Sequence, residues 1–149
     1  MPAHRGGFKL RHHDTHTHPW FSGTGNNLTF AAPAPEDLSA TNNSYLEVRL
    51  TVTDSGNVSA TAARDLQPRK VAIALATSPS GLTVTVNGTT VTAPTTITSW
   101  QGWQLSLNAP SPQKGNRFLS WSDGGAQAHT VITPATPTTY TATFKKGKG

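Results

Sequence analysis

Hydrophobic positions in this chain recur at every second residue, and no stretch shows the three-to-four spacing of a helix face. The cleanest run is Tyr45 to Asp54. Leu46, Val48, Leu50 and Val52 fall on one side, and Glu47, Arg49, Thr51 and Thr53 on the other. That is the alternation of an antiparallel strand with one wet face. Asp54-Ser55-Gly56-Asn57 has turn composition, and Val58 to Ala62 is predicted to return as the hairpin partner. Upstream, Phe8 to Arg11 is a short alternating run and Leu28-Thr29-Phe30 reads as a strand, while residues 1–7 read as disordered. Residues 31–40, with Pro33 and Pro35, read as an irregular crossing between sheets that leaves Glu36 and Asp37 exposed.

Asp65-Leu66-Gln67-Pro68 interrupts the pattern as a short linker. Beyond it Val71, Ile73 and Leu75 alternate with Ala72 and Ala74. Leu82 to Val86 alternates again and closes on Asn87-Gly88, a strong hairpin signal. Further strands are predicted around Val91 and Ile97 and over residues 103–107, 117–121, 129–132 and 139–144. Short strands with regular turn signals predict an all-β protein. The expectation is two small antiparallel β-sandwiches in tandem, residues 1–67 and 68–149.

Composition narrows the class. Only 13% of residues are charged, and Thr, Ser, Gly and Pro are abundant, as in β-rich extracellular modules. Cysteine is absent, so stability must come from packing alone. Residues 1–20 hold no apolar run of signal-peptide length, so a secreted form would take its signal from upstream in a longer parent. Residues 1–67 carry five Lys/Arg and six Asp/Glu, and residues 68–149 carry seven and one. The halves therefore differ in charge, −1 against +6, and together give the net +5. Such a basic half attracts anions. Its cations are scattered between strands or placed in a fraying tail (Lys145-Lys146-Gly147-Lys148), so solubility accounts for them. Nucleic acid and membrane are not expected partners.

The densest chemistry is His12-His13-Asp14-Thr15-His16-Thr17-His18-Pro19-Trp20, with four of the six histidines. Read as one extended strand, it puts His12, Asp14, His16 and His18 on one face. That row could hold a divalent metal such as zinc or copper. Positions i and i+2 lie about 6.5–7 Å apart along a strand, so two histidines could share an ion and a third ligand would come from elsewhere. The plainer reading is an edge strand that hydrogen-bonds its neighbours and packs Trp20 beneath it. Of the four tryptophans, Trp121 and Trp103 share parity with leucines and read as core. Trp20-Phe21 and Trp100 sit at loop-like positions, which favours water and a ligand. Ser122-Asp123-Gly124-Gly125 reads as a tight turn, since one carboxylate is a poor calcium site. No nucleophile triad, phosphate loop or carboxylate pair is recognisable, so no enzyme is expected, unless the histidine cluster supports a metal-dependent activity.

The histidine segment together with Tyr45 to Asp54 resembles the PKD-like domain that follows glucose/sorbosone dehydrogenase-type quinoproteins of secreting bacteria. Thr77 to Leu82, Val86-Asn87-Gly88, Phe118 to Ala126, His129 and Thr138 to Ala142 resemble the immunoglobulin-like repeat found after it. Only a few residues precede the histidines, so the first sandwich would be N-terminally incomplete. The resemblance implies a secreted accessory module that positions the catalytic domain of a longer parent on a polysaccharide or cell wall. Its glycan contacts are expected at Trp20, Phe21, Trp100 and Trp103.

Overall fold

In the computed structural model, backbone is described for residues 3–12 and 16–147, and side chains for residues 17–147. The chain forms two compact units, Met1–Pro68 and Arg69–Gly149. All of its regular structure among these residues is β, apart from one 3-10 turn at Ala40–Asn42.

The first unit contains β1 (Ala3–His12), β2 (His16–Thr24), β3 (Tyr45–Thr53) and β4 (Ser59–Leu66), in the sheet order β2-β1-β3-β4. Residues 3–7, expected to be disordered, belong to β1 and pair with the far half of β3 from Ala3 opposite Thr53. Backbone pairing needs no side-chain pattern, which is why Gly6-Gly7 concealed it. The unit is one sheet rather than the expected sandwich. Residues 25–44 are not a second sheet: Leu28 to Phe30 is irregular chain, and Pro33, Pro35, Ala40, Thr41 and Ser44 are buried. Asp37 Oδ1 accepts the Ala40 N–H at 2.8 Å and organises the 3-10 turn. Because this packing is local, β3 does not alternate cleanly. Leu46 and Glu47 are both buried, and Leu50 is exposed.

Asp54 closes the β3–β4 hairpin, its Oδ1 accepting Gly56 N–H at 2.8 Å and Val58 N–H at 2.9 Å. Hydroxyl pairs continue across the strands, Thr51 with Thr61 and Thr53 with Ser59. Strand β4 runs on through Leu66, into the expected linker, and is exposed throughout.

The second unit is a β-sandwich. Its strands are β5 (Lys70–Ser78), β6 (Thr83–Val86), β7 (Thr89–Thr92), β8 (Thr95–Trp100), β9 (Gln104–Asn108), β10 (Asn116–Trp121), β11 (Ala128–Ile132) and β12 (Thr138–Lys146). They make two four-stranded sheets, β10-β12-β5-β8 and β11-β9-β6-β7. Strand β12 lies parallel to β5, so the first of these sheets is mixed. Alternate residues Val71, Ile73, Leu75, Val84, Val86, Leu105, Leu107, Tyr140, Ala142 and Phe144 form the core. Burying such side chains stabilises by about 1.5–3 kcal/mol each, and this is the dominant favourable term in a chain without cross-links.

Candidate functional site

Strand β2 reaches its only described exposed tryptophan through an irregularity. Opposite β1, Phe21 pairs with Phe8 and Pro19 with Lys9, so Trp20 is the extra residue of a β-bulge. Bulges turn a side chain out of the alternation. The Trp20 indole N–H donates to the Ala31 carbonyl at 3.1 Å, and 49% of the residue stays open to solvent. Ala31 is itself held, because Phe30 stacks on Phe21 with ring centroids 5.5 Å apart and planes 12° from parallel. The polar edge of the indole is thus satisfied within the protein, while the residue stays half open to solvent. Such a surface can stack on the flat C–H face of a sugar. Asn26 and Asn27 stand exposed in the loop that leaves β2.

The other expected contacts separate. Trp100 was expected in water and is 7% exposed. It is the last residue of β8, opposite Lys70, and the turn lies after it, where the Trp103 N–H returns to the Trp100 carbonyl at 2.9 Å. A side chain on the inward side of a terminal strand position closes the core, so Trp100 offers no ligand surface. Trp103 is half-buried, its carbonyl accepting the Thr133 N–H at 2.8 Å while the Gly102 N–H before it donates to the Thr133 carbonyl at 2.9 Å. Phe21 is half-buried in its stack with Phe30. The metal reading rested on one strand, whereas His12 ends β1 and His16 begins β2, two antiparallel strands in which His12 stands opposite His16 and Leu10 opposite His18. Asp14 and the side chains of His12 and His16 lie outside the described residues, and His18 is exposed. Among the described residues no three His, Cys, Asp or Glu side chains stand together as a metal site.

A pair that the sequence did not single out closes the loop between β10 and β11. Asp123 Oδ1 accepts the Gly125 N–H at 3.0 Å, and Asp123 Oδ2 lies 2.9 Å from His129 Nε2. His129 Nδ1 lies 2.8 Å from the Ala126 carbonyl. Both ring nitrogens therefore face acceptors. A neutral imidazole has a single N–H, so both bonds hold together only in the imidazolium. Partial burial pushes the Asp123 carboxyl up, but the Gly125 amide and the His129 ring outweigh it and hold the group below its usual range. Burial, with the Asp123 charge added, pushes the Tyr140 phenol up. Trp121 packs edge-on against His129 at 5.6 Å, and its indole N–H donates to Gln127. Every ring nitrogen of His129 is spent on the fold, so the pair has no free base to offer a substrate. The legible signal was the Asp-Gly-Gly turn followed by a histidine. Six residues of separation hid the contact.

No helix among the described residues is long and apolar enough to cross a membrane. Compared with protein-family models, curated proteins and solved structures, the chain matches none of them.

Proposed function

We propose that the chain is a non-catalytic glycan-binding module of a secreted or surface-associated protein, with Trp20 as its stacking platform. The observation that carries this reading is the bulge at Trp20, which keeps an apolar ring in water while its N–H is bonded to Ala31. Exposing a large aromatic side chain forfeits hydrophobic stabilisation, so a structured exposure favours a ligand. The histidine segment resembles PKD-like accessory domains and Phe118 to Ala126 immunoglobulin-like ones, which favours the same role, next to an enzyme on a polysaccharide. Affinity electrophoresis in gels containing soluble β-glucan or xylan tests it. Wild type is expected to be retarded in at least one polymer, and Trp20→Ala to migrate freely in the same gel. Unretarded wild type on every neutral and acidic polymer would leave a spacer or adhesion domain instead.

A further inference from the structure

Outside the Trp20 site, four cations of the second unit, Lys114, Arg117, Lys145 and Lys146, lie where the ends of β10 and β12 meet. Strands β10 and β12 pair so that Arg117 stands opposite Lys145 and Asn116 opposite Lys146. The turn that enters β10 is tied to the end of β12 by the Gly147 N–H donating to the Gly115 carbonyl at 2.8 Å. A Cβ added at Gly147 would lie 3.3 Å from Arg117 Nε, so the arginine lies along this seam. Lys114 follows in the same turn, its ammonium reaching the Gly81 carbonyl at 3.1 Å. Arg117, Lys145 and Lys146 are exposed. Asp123 is the single carboxylate side chain of residues 69–149, and it is engaged by His129 and Gly125.

Like charges directly across a strand pair destabilise a sheet. Protection of a sheet edge explains charge on an outermost strand. It accounts for the charge of Arg117 on β10, and of Lys145 and Lys146 where β12 runs past its last β5 pair, Thr143 opposite Ser78, but it does not require Arg117 and Lys145 to face each other. An anion between the strands removes the repulsion. We infer that the paired ends of β10 and β12 are a polyanion site, and that its partner is an acidic polysaccharide bearing repeated carboxylates or sulfates. Next along the same pair, Ser120 stands opposite Thr143, which adds hydroxyl groups to the cations. The neighbouring rings, Phe118 and Phe144, are half-buried and buried, so bases of a single-stranded nucleic acid would find no stacking platform.

This inference rests on the glycan-binding reading for the class of its partner but uses different residues, so the two can fail separately. The probe is polygalacturonate, in affinity electrophoresis and calorimetry at about 50 mM salt, where screening is moderate. Arg117→Ser with Lys145→Ser is expected to weaken binding roughly tenfold or more, with raised salt abolishing the difference. A charge-matched control, Arg64→Ser with Arg69→Ser, is expected to change it less than about twofold. Retardation in neutral xylan is expected to stay with Trp20 and to be indifferent to the Arg117 and Lys145 changes. Equal losses in the two double variants, or no binding of wild type to polygalacturonate, would overturn the site. Tighter binding to duplex DNA or to phosphatidylserine vesicles than to polygalacturonate would overturn the choice of partner.

Discussion

At Asp123 a carboxylate decides how a loop is held. The His129 ring spans the Asp123 carboxylate and the Ala126 carbonyl, at 2.9 and 2.8 Å, and both bonds require N–H groups. As the pH falls, Asp123 is protonated below its usual range, and the carboxylate that binds Gly125 and His129 is lost. A group whose folded pKa is depressed stabilises above its unfolded value and ceases to do so through the folded one. Order in residues 121–129 should therefore fall as the pH drops through the titration of Asp123. Carboxyl chemical shifts and amide exchange, followed across acid pH in the whole chain, read this directly. Unchanged exchange at Gly125 and Gln127 as Asp123 is protonated would sink the account. Gly125 also fixes the geometry, since an added Cβ would come within 2.5 Å of the His129 ring.

Hairpins and bulges are the elements that place these residues. Gly88 sits at φ +80 between β6 and β7, after Asn87 at φ +47, the pair of left-handed conformations that a tight two-residue turn demands. Asn87 also reaches sideways, its Oδ1 accepting the Ser106 N–H of β9 at 2.7 Å. Gly88→Ala should cost about 1–2 kcal/mol, because a side chain at positive φ is strained even in open space. Chemical denaturation of the second unit measures it. A loss near zero would mean that the turn adapts. Bulges work in the opposite sense, by breaking alternation. Trp20 in β2 and Leu119 in β10 are both extra residues on outermost strands, and both are exposed, at 49% and 53%. Simple parity put Leu119 and Trp121 on one side. The bulge at Leu119 turns that side chain to solvent and leaves Trp121 buried.

Over the whole molecule, the two units hold themselves together differently. The second has a core shared between two sheets, whereas the first relies on one sheet and the loop of residues 25–44. Two unfolding transitions are expected in calorimetry. Leu107→Ala removes a fully buried side chain of β9 and should lower only the second unit's stability, by about 2–5 kcal/mol. A single transition, shifted as one by this substitution, would contradict independent folding. The charge asymmetry belongs to this scale as well, since it assumes a function only where β10 meets β12.

The amino-acid sequence by itself determined that the chain is β-structured. Burial in paired strands imposes a period of two, and Val71, Ile73 and Leu75 or Leu105 and Leu107 carry it openly. It also determined the turns at Asp54 and Asn87-Gly88, whose chemistry is local. Tertiary structure alone decided what depends on which strand lies beside which. It set His12 and His16 opposite each other on two strands, buried Trp100, and exposed Trp20 through a one-residue slip in register. It likewise brought Arg117 against Lys145 and His129 against Asp123. Alternation specifies a face for each side chain but no neighbour. Neighbours follow from the order and register of strands distant in the chain.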